Sequence, residues 1–341
     1  MRIVHFAPFA PCACGLYEAA RDMAAADYEA GHEVYFVDTG ITLGNGETHV
    51  PGAPGKEDRR GFFDVITADP TCARTADLLV AHTGVPDPWF SICQAPLIWV
   101  LHGRPTACFG PEQFGRGHSY SLIAEIAKWP RVKKMITFWP YHIQFWLNII
   151  PEEKLFCLEA PPVDITRFSP NGPTHDFGEL GGDFNVALAD SWREDIDLFG
   201  VAHGALVFAR NNRGVKFHFY GMEEPLRCWN YIIDELRNLG ALGEIWSRRP
   251  NIEEIYRAAD LVLSPHRIAT RVIAEAICCG TPVVAHYDCE FANYGCDTND
   301  PSTIASALIS VRQHDHSVSV DPTPFSLSRY NQAIGELYAN L

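Results

Sequence analysis

Between Ser264 and Glu275 the chain reads SPHRIATRVIAE, which sets Arg267, Thr270, Arg271 and Glu275 close together. A guanidinium grips phosphate or carboxylate oxygens with a planar fork of donors. A carboxylate accepts hydrogen bonds from hydroxyls, and a helix N-terminus offers amides that lack intrahelical partners. These types, at the start of a helix, suit an anionic ligand. Two further groups stand at the ends of apolar runs: Arg193 in Asp190-Ser191-Trp192-Arg193, and His102 in Leu101-His102-Gly103-Arg104. An isolated histidine more often serves structure, but an imidazole at a strand end is placed to exchange a proton with a ligand.

Positioning these groups requires strands that stop where the chemistry begins. Leu261 to Leu263 and Pro282 to Ala285 are short apolar runs of the kind that form parallel strands buried on both faces. Between them Ile268 to Cys279 has helical spacing, stopped by Gly280. The loop 264–270 thus lies at the carboxyl end of a strand, where open α/β sheets bind ligands. The same alternation opens the chain: strand Arg2 to Pro8, helix Leu16 to Gly31, strand His32 to Asp38. The loop between, 9–18, holds the single glycine Gly15, followed by Tyr17 and Glu18, and is either a structural turn or a ligand loop.

The segment 253–285 resembles the donor-binding signature of GT-B glycosyltransferases of family 4, also called group 1. Tyr256, Ala259, Asp260, Pro265, Glu275, Ala276, Gly280, Pro282, Val283 and Val284 carry the resemblance. It implies an α/β GT-B fold, two Rossmann-like domains facing each other across a cleft, and transfer of a sugar from a nucleotide-sugar, with retention, to an acceptor hydroxyl. It assigns Glu275 to the ribose hydroxyls, and His102 to a place near the sugar ring and the reacting centre. Arg193 falls to the diphosphate clamp, Trp246 to the region of the nucleobase, where it either stacks on the base or fills the core. The chain departs from the pattern at Arg267, which stands where the family has a Glu that helps hold the donor sugar. An arginine cannot accept from a hydroxyl; with Arg271 it supplies the second positive charge for the diphosphate. Catalysis is therefore expected from His102, Arg193 and Arg267. Donor binding is expected from Gly15, Arg193, Trp246, Thr270, Arg271 and Glu275, and acceptor binding from Tyr17, Glu18 and Arg104. No cofactor or metal is expected beyond the nucleotide-sugar cosubstrate, for which UDP is the first choice; Asp195-Ile196-Asp197 reads as a helix turn rather than a metal site.

The expected division is an acceptor domain over 1–165, a linker over 166–183 and a nucleotide-sugar domain over 184–324. A terminal helix over 325–341, with Tyr330, Ile334, Leu337 and Leu341 at helical spacing, is expected to pack back on the first domain. Further strands are expected at 77–82, 96–101, 133–137, 155–158, 184–189, 215–220 and 242–246, and helices at 139–148 and 226–239. The Gly-, Pro- and charge-rich stretch 41–64 reads as an exposed loop.

A length of 341 residues with 47% hydrophobic content is ample for two cores. No stretch is long and apolar enough for a membrane span, and the start MRIVHFAPFAP lacks the marks of a signal peptide, so a cytoplasmic protein is expected. The 11 cysteines show neither C-x-x-C nor zinc spacing and read as reduced thiols. Net charge is −15, which argues against a broad duplex-binding surface. The acid excess is smaller in the first 160 residues, which also hold the cluster Lys128, Arg131, Lys133, Lys134. The run Cys14 to Glu18 is similar to glycosyltransferases of bacteriophages, some of which act on hydroxymethylated pyrimidines in DNA. That makes modified DNA one acceptor, with a glycan or lipid-linked hydroxyl the other. Two alternatives stand beside transfer: a non-catalytic nucleotide-sugar-binding protein of the same fold, and epimerisation using His102 and Glu290.

Overall fold

The structure is a computed structural model and describes residues 1–7, 15–38, 65–66, 74–82, 93–102, 120–190, 199–221, 230–246, 249, 251–313 and 321–341. The chain divides into two compact units, Met1–Pro162 with Ser326–Leu341, and Val163–Phe325.

The first unit runs β1 (Arg2–Ala7), α1 (Gly15–Glu29), β2 (Glu33–Asp38), β3 (Val65–Ile66), β4 (Leu78–Ala81), β5 (Leu97–Leu101), α2 (Tyr120–Lys128), β6 (Val132–Phe138), α3 (Ile143–Trp146) and β7 (Leu155–Leu158). Its strands form one parallel sheet in the order β3-β2-β1-β4-β5-β6-β7. The second unit runs β8 (Phe184–Ala189), α4 (Phe199–Asn211), β9 (Val215–Tyr220), α5 (Asn230–Asn238), β10 (Leu242–Trp246), α6 (Ile252–Ala258), β11 (Leu261–Leu263), α7 (Arg271–Cys278), β12 (Val283–His286), β13 (Tyr294–Cys296) and α8 (Pro301–Gln313). Its parallel sheet has the order β10-β9-β8-β11-β12-β13. In both units the chain starts in the middle, winds to one edge, and returns to build the other side. This doubly wound order leaves a switch point, between β1 and β4 in the first sheet and between β8 and β11 in the second, where the loops diverge and a crevice opens at the strand ends.

The strands are apolar runs because helices cover both faces. All residues of β11 and β12 are buried. In the second unit Phe217, Phe219, Leu261 and Ile304 share a core; in the first, Val4, Leu79, Trp99 and Ile123 do so. The final helix α9 (Leu327–Tyr338) belongs to the first unit. Ser326 caps it by accepting from the Arg329 amide at 3.2 Å, and its Tyr338 hydroxyl donates to Asp27 of α1 at 3.0 Å.

Some expected boundaries differ. The aromatic stretch 139–148 is a 3-10 turn, Pro140–His142, followed by the four-residue α3; Trp139 enters it at φ 68, and that left-handed residue breaks any longer helix. Of the helix expected over 226–239 the structure describes Asn230–Asn238, α5, and 222–229 lie outside the described residues. Helix α7 starts at Arg271 rather than Ile268, because Thr270 takes the extended N-cap conformation, φ −62 and ψ 168. The segment 166–183, read as a linker, is tied to the second unit. Arg167 pairs with Glu253 at 3.0 Å, and Arg257 donates to the carbonyls of Arg167, Ser169 and Pro173. The stretch 41–64 lies outside the described residues.

Among the described residues no helix is long and apolar enough to cross a membrane, and no cluster of His, Cys, Asp and Glu could hold a metal ion. Six described cysteines are free thiols.

Candidate active site

In the second unit the switch point is formed by the loop that leaves β8 at Asp190 and the loop 264–270 that leaves β11. The two loops are joined directly: His266 Nε2 lies 2.6 Å from Asp190 Oδ2, with both side chains buried. The carboxylate accepts, so Nε2 donates. The His286 amide donates to the His266 carbonyl at 3.2 Å, fastening the same loop to β12.

The loop ends at Thr270, whose backbone caps α7 while its side chain does not. The Thr270 hydroxyl is buried and has no hydrogen-bond partner among the described residues. A buried hydroxyl without a partner costs about 1–3 kcal/mol. Beside it begins the first turn of α7, where an α-helix has amides without intrahelical partners and the positive end of its dipole. One turn further in, Arg271 Nε donates to Glu275 Oε1 at 2.6 Å, with side chains 8% and 7% exposed. Each charge compensates the other's burial, so Arg271 is held by Glu275 and does not reach out as an independent cation. Beneath the pair lies Tyr256, whose phenol is driven well above its usual pKa by burial and then by the carboxylate of Glu275 and its neighbours. Gly280 ends the element at φ 79, a conformation that suits glycine.

Arg267 is half exposed and pairs with Asp288 at 3.2 Å. Asp288 also lies 3.2 Å from His286 Nδ1; burial, then Arg267, lowers the pKa of that imidazole. Trp246, at the end of edge strand β10, is 44% exposed, which removes the core-filling alternative. Arg249 sits 3.9 Å from the Trp246 ring centroid, in cation–π contact.

In the first unit His102 stands just past β5 and closes a row of buried polar groups. His102 Nε2 lies 2.8 Å from His82 Nδ1, His82 Nε2 lies 3.1 Å from His5 Nδ1, and His5 Nε2 lies 3.0 Å from Asp27 Oδ2. Gly15 opens α1 and is exposed. Glu18 is buried, with Arg21 Nη1 3.9 Å away, so its carboxylate is turned into the unit. The backbone of Tyr17 is helical, while its side chain, with Arg104 and Arg193, lies outside the described residues.

Thr270, Arg271 and Glu275 are thus brought together on one loop-to-helix junction, with Arg267 on the same loop, paired to Asp288, and Trp246 at the end of β10 in the same unit. His102 is placed at a strand end of the other. Sequence reasoning missed Asp190 and His266 as partners, and His5 and Asp27 altogether. The one signal for the last two was polarity inside an apolar context, His5 within RIVHFA and Asp27 within AAADYE.

Residues 186–314 match the family model Glyco_trans_1_4, "Glycosyl transferases group 1". No curated protein matches the chain in sequence. Among solved structures, Anabaena HepE in complex with UDP and glucose superposes with TM-score 0.67 at 16% identity, covering 100% of both chains. WaaG, a glycosyltransferase of lipopolysaccharide biosynthesis, gives TM-score 0.63 at 14% identity over 97% of this chain and 93% of that one. An alpha-glucosyltransferase in complex with UDP-glucose and DNA containing an abasic site gives 0.61 at 12%, over 98% and 94%. At these identities the likeness shows the fold, which is GT-B.

Proposed function

We propose, from the premise that this GT-B chain carries a domain of the group 1 glycosyl transferase type over residues 186–314, that it transfers a sugar from a nucleotide-sugar to an acceptor hydroxyl. The observation that carries this reading is the α7 N-terminus: a buried Thr270 hydroxyl without a partner among the described residues, at the start of a helix and one turn from a buried carboxylate. A nucleoside diphosphate suits this arrangement. Its phosphate oxygens accept from the Thr270 hydroxyl and the first-turn amides, and its ribose hydroxyls donate to Glu275, which Arg271 holds in place.

As the bond from the anomeric carbon to the diphosphate breaks, the electron pair leaves on the phosphate. Pre-set amides, with the cations of Arg193 and Arg267, stabilise that charge. Arg271 contributes through Glu275 rather than by a direct grip. Trp246 with Arg249 offers a stacking face for the base, UDP being the first choice because HepE and the DNA-bound alpha-glucosyltransferase were solved with UDP or UDP-glucose. The first unit, with Gly15, Tyr17, Arg104 and His102, takes the acceptor, and the buried Glu18 serves the unit's interior instead. A glycan or lipid-linked hydroxyl fits the acidic chain best, with hydroxymethylated DNA second. Transfer proceeds with retention, as the family resemblance implies. Arg267, in place of a sugar-holding Glu, favours one other reading, a non-catalytic nucleotide-sugar binder.

The deciding experiment titrates UDP into wild type and Glu275→Gln, then follows nucleotide release from UDP-, GDP- and ADP-sugars with and without hydroxymethylated DNA. Glu275→Gln is expected to weaken UDP binding about 10- to 100-fold, the worth of a hydrogen bond to a charged group. An unchanged Kd in a variant with wild-type thermal stability removes the donor-site assignment, and tight binding without release under any condition selects the non-catalytic reading.

A further inference from the structure

A side-chain contact ties the two loops at the switch point of the second sheet to each other. Asp190 follows the last residue of β8, and its amide donates to the Tyr220 carbonyl at the end of β9 at 3.1 Å. The sheet therefore sets where this carboxylate stands. His266 lies three residues past β11, which pairs with β8 on the side away from β9. Its Nε2 donates to Asp190 Oδ2 at 2.6 Å, with side chains 7% and 8% exposed. A contact this short to a carboxylate is of the strong, charge-assisted kind. The backbone ties of the same loop run elsewhere: the Ser264 amide donates to the Val284 carbonyl at 2.9 Å, the His286 amide to His266 at 3.2 Å, and the Thr270 amide to Ile268 at 2.7 Å. These fasten the loop to β12 or to itself, whereas the link across to β8 is made by side chains.

The path from His266 to Thr270 is short, and Ile268 and Ala269 within it are 3% and 2% exposed. A shift at His266 is therefore passed through packed residues to the Thr270 hydroxyl. The Tyr256 phenol shows that the pair and the α7 site share one neighbourhood: burial and then Glu275 raise its pKa, and Asp190 contributes as well. We propose that Asp190 and His266 are positioning residues for the nucleotide-sugar, holding the loop so that the Thr270 hydroxyl stands ready for a phosphate oxygen. This rests on the reading of Thr270 and Glu275 as the donor site. A hydroxyl set in place before the ligand arrives loses none of its binding energy to ordering. The pair touches no substrate and acts through Thr270, so its removal weakens binding only as far as Thr270 contributes. The hydrogen bond rather than the imidazole ring carries the effect, and another side chain that donates from the place of Nε2 serves equally.

The test is a double-mutant cycle on the affinity for UDP, or for GDP or ADP where the wild type binds that instead. It is read by calorimetric titration of variants whose thermal unfolding shows them folded. His266→Ala is expected to weaken binding about tenfold or more in the wild-type background. In Thr270→Val the same change is expected to cost less than about threefold, because the group it positions is already gone. His266→Gln sets an amide nitrogen where the imidazole has Nε2, and is expected to recover affinity to within about threefold of wild type. Full additivity of His266→Ala and Thr270→Val overturns the proposal, since a merely structural role weakens both backgrounds alike. A folded His266→Gln that binds about tenfold weaker or worse overturns it too, and does so even where His266→Ala fails to fold. A wild type that binds none of the three nucleotides, or a Thr270→Val that binds as the wild type does, removes the donor-site reading and the proposal with it.

Discussion

Each side chain at the candidate site is defined by the partner it has or lacks. Thr270 and Arg271 are neighbours, yet the first keeps an unpaired buried hydroxyl while the second is bound to Glu275 at 2.6 Å. This contrast predicts opposite outcomes for their removal. Thr270→Val keeps the shape and deletes an unsatisfied group, so the stability of the ligand-free protein should be unchanged or slightly higher. Nucleotide affinity should fall about tenfold or more. Paired denaturant and calorimetric titrations check both, and a variant that loses stability while binding UDP normally would show that the hydroxyl serves the fold. Arg271 and Glu275 were legible as a cation and a carboxylate on one helix, because the spacing i, i+4 sets them on one face. That they neutralise each other was not, since burial on that face depends on what packs above it.

Helices hold the strand ends in place through close contacts that leave little slack. Gly204 of α4 faces Ile304 of α8, and a Cβ at Gly204 would fall 2.5 Å from Ile304 Cγ2. Ile304 is fully buried in the core of the second unit, so it has nowhere to move. Gly204→Ala gains about 1 kcal/mol in helix propensity but forces overpacking that costs about 1–3 kcal/mol. A net loss of stability in thermal unfolding is expected; a raised midpoint would show that α4 and α8 separate at little cost. The strands were the readily read elements: 155–158, 184–189, 215–220 and 242–246 were expected with the bounds the structure has. Helix α8, also in contact with α4, was not read from the sequence, although Ile304, Leu308 and Val311 stand at helical spacing on its buried face.

Across the whole molecule, buried histidines tie stability to pH. His218 donates from Nε2 to Asn185 at 3.1 Å and accepts the Glu244 amide on Nδ1 at 3.1 Å, leaving no room for a second ring proton. Burial pushes its pKa down to about 4, and burial lowers His82 in the same direction. The unfolded chain takes up these protons near the ordinary pKa of about 6.5, so between there and about 4 it binds more protons than the folded state. The stability contributed is full above that window and is lost as pH falls through it. His218 alone should remove on the order of 1–3 kcal/mol by pH 4. Denaturant unfolding at intervals from pH 7 to pH 4.5 reads the slope, and a flat profile would show that His218 gains a proton without loss of its two bonds.

By itself the sequence determined the doubly wound strands, the switch-point loops and the family resemblance of 253–285. Buried parallel strands must be unbroken apolar runs, and loops at their ends are free to carry charge; both are local facts of composition. Which polar groups meet was decided by the tertiary structure. His266 and Asp190 are 76 residues apart, and Tyr338 and Asp27 are 311 apart. A hydrogen bond across such a span has no period and no spacing in the sequence. It exists because two elements pack and exclude water, so that each buried donor must find the acceptor set against it.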